Sequence, residues 1–517
     1  MRRAALGLAL LLFSATPPAT AADIAALAYH DVVPKKNGDP FAITAADFQR
    51  QLEYLVHAGY HPISLRTLER AREGKAELPP KPVLLTFDDG YKSYFDVVYP
   101  MLRDYGFPSV ISLVTSWIDR RSTPDYTSAE FMTWDQLRTL ARSPLVEVLS
   151  HTDDLHRNVL ANPFGARLPA VEARMYDPKT GTYETEAAHR LRVRADLARS
   201  VARIREELGL TPLGITWPYG RYDGVALAAA TELHMRLYLT LDDEPTRLAD
   251  LPRINRITFK NYRALADLGD ALTFRVYRRR QLRFVSFDLA AFDDRAPAEG
   301  ARLVFELGQR AELLRVNAVV LQPVTPDAKR AYFHTDAMPV AADVLSQIAF
   351  QLNERGGLKN LILRIPATMD PRACADLARL TWFSGIVIEG ATTTAEFERT
   401  AALFRRYKPA LKVGANGDFP GADANASFTL VELGANAPRE SLERHVEKAL
   451  KTSPRPLFLL DRSPTTSTDA LRSAMAALHS AGAIHYGYGP DDFIHNAPEF
   501  LRVVRPLGEY TIPPAPK

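Results

Sequence analysis

The sequence predicts a two-domain α/β protein, in which a (β/α) barrel-like domain with a mostly parallel sheet precedes a TIM-like (β/α)8 barrel. Short apolar strands alternate with amphipathic helices along most of the chain. The length of 517 residues favours two domains over one. Acidic and histidine residues directly follow several strands, where α/β folds place their active sites. We therefore expect one domain over residues 22–275 and a second over residues 282–517.

The first residues have the order of a secretory signal peptide. Met1-Arg2-Arg3 precede an apolar run, and Ala19-Thr20-Ala21 is a small-x-small cleavage site. Residues 1–21 are therefore predicted to direct export to the periplasm, with peripheral attachment to the outer membrane as a further option. No later stretch stays apolar over the ~18 residues that a membrane helix requires, so we expect no transmembrane helix in the mature chain.

Composition excludes several classes of protein. The hydrophobic content of 46% and the charged content of 24% are those of an ordinary globular protein. A net charge of +3, without a dense basic cluster, argues against nucleic acid as a partner. The single cysteine, Cys374, excludes an intramolecular disulfide and a cysteine metal cluster.

The first candidate site follows an apolar run that reads as a buried strand, Pro82-Val83-Leu84-Leu85. The run leads into Asp88, Asp89 and Gly90. Neighbouring residues on a strand point to opposite faces, so these two carboxylates can share a site only if the chain has begun to turn there. Gly90 permits such a turn at low steric cost. The alternative is that both aspartates are turn and helix-capping residues.

Two histidines follow a later strand at Val146–Leu149. His151 and His156 would lie about 140° apart around a helix axis, but they can converge across a loop. Two imidazoles and one carboxylate are a common catalytic metal site with positions open to water. Asp89 is the predicted third ligand and Asp88 the predicted general base. A lone histidine is more often a structural residue, but two histidines together with the aspartate pair favour a metal site.

Two further stretches of the first half supply candidates. A predicted strand near the start ends at His30, which is a candidate general acid or else a structural histidine. The aromatic turn after Ile215-Thr216 offers Trp217, Tyr219 and Tyr222 as flat faces for sugar rings, and Arg221 as a partner for a catalytic carboxylate. The alternative is a rigid structural turn.

The second half repeats the strand–helix alternation often enough for a full barrel. Its predicted strands are Leu282–Phe287, Ala318–Gln322, Leu361–Ile365, Gly385–Ile388, Leu411–Gly414, Phe428–Leu433, Pro456–Leu460 and Ile484–Gly487. Acids at the strand ends, such as Asp288, Glu389 and Asp491, form a candidate glycan site. Ordinary loop acids are the favoured alternative.

Several motifs of the first half together resemble those of a known family. They are Ala28-Tyr29-His30-Asp31-Val32, Thr86-Phe87-Asp88-Asp89-Gly90, Ser150-His151-Thr152 with His156, Trp217-Pro218-Tyr219-Gly220-Arg221-Tyr222, and the insertion from Tyr176 to Tyr183. The chain resembles the polysaccharide deacetylases of carbohydrate esterase family 4, which have the NodB homology fold. The match is closest to the two-domain PgaB-type poly-β-1,6-N-acetylglucosamine N-deacetylases of biofilm exopolysaccharide export.

This resemblance implies a role for each candidate. Asp88 becomes the base, and His30 becomes the acid because the motif order of this type is circularly permuted. Asp89, His151 and His156 become the ligands of one divalent metal ion, for which Zn²⁺, Co²⁺, Ni²⁺ and Fe²⁺ all suit the donor set. Arg221 is expected to orient Asp88. The implied partners are the β-1,6-linked N-acetylglucosamine polymer and an outer-membrane export porin.

The second half resembles, more weakly, the glycoside-hydrolase-like barrel of the same proteins. The resemblance rests on Val319–Pro323, His485–Tyr488 and Asp491-Asp492-Phe493. Competent relatives carry paired aspartates after the fourth strand, where this chain has Glu389-Gly390. We therefore expect a barrel that binds glycan and hydrolyses it poorly or not at all.

Three other functions remain open on the sequence alone. A glycan-binding scaffold with a vestigial esterase is opposed by the intact set of aspartates and histidines. A glycosidase acting from the second barrel is opposed by the altered fourth strand. A chitin or peptidoglycan deacetylase is the nearest alternative, and acetate release from β-1,6-linked and β-1,4-linked oligomers would discriminate it.

Overall fold

The fold is described from a computed structural model. The structure describes residues 23–508 apart from 125–126, 128, 260–264, 279, 356, 359, 418 and 420–425. The predicted signal peptide, residues 1–21, lies outside the described residues. Within the described chain, no helix has the length and apolar character to cross a membrane.

The first structural region is a nine-stranded sheet that curls without closing. Its strands in chain order, β1 to β9, are Ala25–Tyr29, His61–Pro62, Pro82–Phe87, Ser109–Leu113, Val146–Ser150, Gly214–Thr216, Leu237–Leu239, Arg253–Ile254 and Ile257–Thr258. Their order across the sheet is β8-β7-β6-β5-β4-β3-β1-β9, with β2 beside β3. β8 and β9 are neighbours in sequence but lie at opposite ends of the sheet, so the two residues between them cross its open side.

Parallel pairing brings strand ends together at one edge of this sheet. β1 pairs in parallel with β3 along its whole length, and Tyr29 lies opposite Phe87. β5 pairs in parallel with β6, and Ser150 lies opposite Ile215. The residues that follow these strands include His30, Asp88 and His151. The strands Ala25–Tyr29 and Pro82–Phe87 are buried at every residue, and the second contains the apolar run that the sequence predicts as a buried strand.

Helices connect and cover these strands, and several of them begin at a residue whose side chain caps the helix. Thr133 begins one helix with a capping box, since its hydroxyl accepts from the Gln136 N–H and the Gln136 side chain accepts from the Thr133 N–H. The helices of this region are Ala45–His57, Leu65–Arg72, Tyr99–Tyr105, Thr115–Ile118, Trp134–Ala141, Glu186–Leu208, Gly224–Glu232, Leu265–Leu272 and Arg275–Arg278, with a π-helical stretch at Tyr94–Val98.

The polar insertion between β5 and the long helix Glu186–Leu208 contains two small antiparallel pairs. They are formed by Asn158–Leu160 with Arg167–Pro169 and by Tyr176–Asp177 with Thr182–Tyr183. The second pair encloses a turn, where Gly181 has φ 70° and its N–H donates to the Asp177 carbonyl.

The second structural region is a closed barrel of eight parallel strands. Its strands, β10 to β17, are Arg283–Phe287, Ala318–Leu321, Asn360–Pro366, Gly385–Glu389, Lys412–Asn416, Phe428–Gly434, Pro456–Asp461 and His485–Asp491. The prediction of a (β/α)8 barrel is therefore confirmed. Helices at Pro297–Leu313, Leu345–Phe350, Pro371–Leu380, Thr394–Arg405, Arg439–Thr452, Thr468–Ser480 and Phe500–Gly508 belong to this region.

Side chains fill the interior of this barrel. Phe284, Val320, Val387 and Leu430 belong to one buried cluster, which makes the barrel interior a packed core. Cys374 is buried in the larger apolar cluster, which contains residues of both strands and helices, and burial raises the pKa of its thiol to about 12.

Candidate active site

The turn predicted after β3 is present, and it begins at the two aspartates. The strand ends at Phe87, Asp89 has φ 73° and Gly90 has φ 82°. The Gly90 N–H donates to the Asp88 carbonyl at 2.9 Å, and the Asp88 N–H donates to the Tyr29 carbonyl at 2.9 Å. A left-handed conformation is costly for a residue with a side chain and persists where surrounding contacts enforce it. The turn places two buried carboxylates at the strand end.

The carboxylate of Asp88 is held by an arginine that the sequence analysis did not select. Arg256 donates from Nη1 to Oδ1 of Asp88 at 2.8 Å and from Nη2 to Oδ2 at 2.9 Å. It also donates to Thr86 Oγ1 at 2.9 Å and to the Thr240 carbonyl at 3.0 Å. Arg256 is fully buried and Asp88 is 3% exposed, so this is a bidentate ion pair screened from water. Such a pair fixes the direction of the Asp88 carboxylate.

The role predicted for Arg221 is therefore wrong, because Arg256 occupies the position beside Asp88. Arg221 instead donates from Nε to Oε1 of Glu172 at 3.0 Å. Arg256 lies in the two-residue segment between β8 and β9, which crosses the open side of the sheet. The sequence does contain a signal for it, since an arginine between Ile254 and Ile257 in a strand-like apolar segment needs a buried partner.

Three of the predicted residues come together as a potential metal-binding cluster. Asp89, His151 and His156 each offer one ligand atom, and these atoms lie within 4.8 Å of one another. Asp89 and His151 are buried, and His156 is half-buried. Two imidazole nitrogens and one carboxylate oxygen are the donor set of open catalytic sites for Zn²⁺ and similar divalent ions. The residues present therefore fit a single divalent metal ion.

Neighbouring groups orient both imidazoles of this cluster. His151 Nδ1 lies 2.7 Å from the Thr216 carbonyl oxygen at the end of β6. A carbonyl oxygen can only accept, so Nδ1 carries the proton and Nε2 is the nitrogen available to a metal. The His156 ring lies 4.8 Å from the His151 ring, 4.9 Å from Trp117 and 4.6 Å from Tyr219, measured between centroids.

His30 directly follows β1. This strand pairs with β3, which leads to Asp88. The ring of His30 lies 5.1 Å from Phe41, and its Nδ1 is buried without a hydrogen-bond partner among the described residues. A buried, unpartnered nitrogen at a strand end is a group that can exchange a proton with a ligand. The next residue, Asp31, accepts from Ser93 Oγ at 2.6 Å, and burial raises the pKa of its carboxyl.

Of the three aromatic rings predicted to bind sugar, one is exposed to solvent. Trp217 is fully buried and Tyr222 is 8% exposed, and their rings stack 5.3 Å apart. Neither ring can lie against a sugar in solvent, so these two assignments to substrate binding are wrong. Tyr219 is 37% exposed and borders the metal cluster through its contact with His156. It has φ 57°, which the turn Pro218–Gly220 imposes.

The candidate acids of the barrel each have a separate structural role. Asp288 caps the turn Leu289–Phe292 by accepting from the Ala290 N–H at 2.9 Å. Asp491 is buried and accepts from Arg310 at 2.9 and 2.8 Å and from Tyr488 Oη at 2.6 Å, so it cannot reach a glycan in solvent.

Glu389 is also engaged, in a three-residue ion cluster. Arg364 donates from Nε to Glu389 at 2.6 Å, and its Nη2 lies 2.5 Å from Glu432. Burial raises the pKa of Glu389, while Arg364 acts in the opposite direction. Arg364 thus lies between two carboxylates and forms an ion pair with each of them.

A parallel α/β sheet whose strand ends carry a His₂Asp donor set beside a buried carboxylate is typical of metal-assisted hydrolases. Residues 75–238 match the family model for polysaccharide deacetylases. The chain therefore contains a polysaccharide deacetylase domain.

Several known proteins with similar sequences are named as poly-β-1,6-N-acetyl-D-glucosamine N-deacetylases. The poly-β-1,6-N-acetyl-D-glucosamine N-deacetylase of Escherichia coli K12 is 30% identical over 346 residues, which are 64% of this chain and 51% of that protein. This chain thus spans about half the length of that relative. A solved de-N-acetylase from Aggregatibacter actinomycetemcomitans is 32% identical, with 48% of this chain and all of that one covered at a TM-score of 0.45. The BpsB deacetylase domain of Bordetella bronchiseptica is 38% identical, with 45% and 94% covered at a TM-score of 0.41.

Proposed function

We propose that this protein removes N-acetyl groups from poly-β-1,6-N-acetyl-D-glucosamine and that it requires one divalent metal ion. The observation that carries the proposal is the convergence of Asp89, His151 and His156 beside the buried Asp88–Arg256 pair. The choice of polymer is supported by the name of the Escherichia coli relative, which shares 30% identity over 64% of this chain.

Each residue of the site has a part in the proposed hydrolysis. A divalent ion held by Asp89, His151 and His156 would polarise the acetyl carbonyl and lower the pKa of a nearby water. Asp88 takes a proton from the attacking water, and Arg256 keeps its carboxylate ionised and correctly directed. His30 donates a proton to the departing nitrogen. Water and the amide are consumed, and acetate and a free amine are formed.

The remaining assignments of the sequence analysis are part of the same proposal. Domains at residues 22–275 and 282–517, export by a signal peptide, and a periplasmic location at the outer membrane fit a protein that modifies an exported polymer. Biofilm exopolysaccharide export supplies the context, with an export porin as the proposed partner. The barrel is proposed to bind glycan without hydrolysing it, since Arg364 neutralises the carboxylate at its fourth strand end.

The choice of linkage is tested by acetate release from two oligomers of equal length. We expect release from β-1,6-linked N-acetylglucosamine oligomers to exceed release from β-1,4-linked oligomers by about 10-fold or more in kcat/KM. Equal or faster release from the β-1,4-linked oligomer would make chitin or peptidoglycan the better substrate class. An oligomer that binds but releases no acetate with any metal would instead favour a glycan-binding protein.

A further inference from the structure

The loop between the two candidate histidine ligands is held by a carboxylate from outside the loop. Asp196 lies on the helix Glu186–Leu208 and is 2% exposed. Its Oδ1 accepts from the backbone N–H of Asp153 at 2.8 Å, and its Oδ2 accepts from the backbone N–H of Asp154 at 2.9 Å. One side chain therefore fixes two consecutive residues midway between His151 and His156.

The backbone of this loop is strained and depends on such contacts. Thr152, directly after His151, has φ 72°. A β-branched residue rarely adopts this conformation, so the surrounding structure must enforce it. The Thr115 and Ser116 N–H groups donate to the Thr152 and Asp153 carbonyls at 3.2 and 3.1 Å. Thr115 and Ser116 thus hold the loop through its carbonyl groups, and Asp196 holds it through its N–H groups.

The chemistry of Asp196 suits this position. Two successive backbone N–H groups that point the same way form a concave binding site for an anion. A carboxylate presents one acceptor oxygen to each, and hydrogen bonds to an ionised acceptor are stronger than those between neutral groups. Arg199 adds a longer contact to Asp196 at 3.4 Å. An apolar side chain at residue 196 would leave two buried donors without an acceptor.

We propose that Asp196 is a positioning residue of the metal site. It does not ligate the ion, but it holds the loop in the conformation that brings His156 against His151. This inference rests on the proposed function only for the presence of a metal ion. It predicts that Asp196 determines metal affinity even though its side chain acts through the backbone of other residues.

Metal affinity is the measurement that tests this role. Zn²⁺ binding is measured by competition with a chromogenic chelator for the full chain, wild type and Asp196→Asn. In the variant an amide NH₂ faces a backbone N–H, so we expect affinity to fall by about 10-fold or more, as for other groups that orient metal ligands. Asp196→Glu keeps both carboxylate oxygens and is expected to restore part of the lost affinity.

A matched control separates this role from general stability. Glu207 lies on the same helix and accepts from Arg203 at 2.8 Å, away from the histidine loop. Glu207→Gln is expected to retain wild-type Zn²⁺ affinity, and the thermal unfolding of each metal-free variant is recorded beside it. The absorption spectrum with Co²⁺ reports the ligand geometry directly, and we expect it to change in Asp196→Asn and to stay unchanged in Glu207→Gln.

The outcomes distinguish this inference from the proposed function. Wild-type affinity and an unchanged Co²⁺ spectrum in Asp196→Asn would overturn the positioning role and leave the proposed function intact. If Asp196→Asn does not fold, Asp196→Glu decides, because affinity equal to the wild type in a variant with a displaced carboxylate would also overturn it. A wild-type protein that binds neither ion would overturn the proposed function and this inference together.

Discussion

Replacing Asp88 by asparagine is expected to lower the rate of acetate release by about 10³-fold, within the range that general-base catalysis contributes. The amide has the size of the carboxylate but cannot take the proton of the attacking water. Because Asp88 lies outside the cluster of proposed ligands, the metal content of the variant should stay at the wild-type level. The measurement is kcat with a β-1,6-linked oligomer at saturating metal.

A control for this prediction is available in the same region of the chain. Asp119 forms a two-contact ion pair with Arg203, at 3.1 Å from Nε and 2.8 Å from Nη2, and has no place in the site. Asp119→Asn disturbs a comparable Asp–Arg pair and should leave kcat within about 2-fold of the wild type. Wild-type kcat in Asp88→Asn would show that another group serves as the base.

Replacing Arg256 by methionine is the second change for which we expect a large effect. The substitution leaves Asp88 buried without its counter-ion, and breaking a buried pair from one side costs about 3–5 kcal/mol of unfolding free energy. A buried carboxylate without a positive partner favours its protonated form, which cannot act as a base. Activity should therefore fall at neutral pH and recover in part as the pH is raised.

Arg221→Met is the matched comparison, because it tests the residue that the sequence favoured. Its partner Glu172 is not part of the site, so activity per folded molecule should change by less than about 3-fold and its pH profile should not move. Urea unfolding gives the stability of both variants. A larger loss of activity in Arg221→Met than in Arg256→Met would show that Arg221, and not Arg256, orients the carboxylate of Asp88.

Local patterns predicted much of this molecule correctly. The apolar run before Asp88, followed by Gly90, indicates a strand that turns at the aspartates, and the turn is there. The eight strands of the barrel follow from short apolar runs at regular spacing. The cluster of Asp89, His151 and His156 follows from residue types placed after strands, because parallel strands bring their carboxyl ends to one edge.

The features that were missed depend on contacts between distant parts of the chain. Arg256 reaches Asp88 across a sequence separation of 168 residues, and only the order of the strands places its segment over the open side of the sheet. Burial of Trp217 and Tyr222 depends on which way a short irregular turn faces, and no periodicity encodes that direction. The ion pair between Arg310 and Asp491 likewise joins two segments that lie far apart in the sequence.

The central claim is that Asp89, His151 and His156 hold a metal ion on which deacetylation depends. Its most direct test is acetate release from β-1,6-linked N-acetylglucosamine oligomers by the purified protein, first stripped of metal and then supplied in turn with Zn²⁺, Co²⁺, Ni²⁺ and Fe²⁺. We expect no release from the stripped protein, recovery with at least one of these ions, and no recovery in His151→Ala. Full activity after chelation, or recovery in His151→Ala equal to the wild type, would contradict the metal site described above.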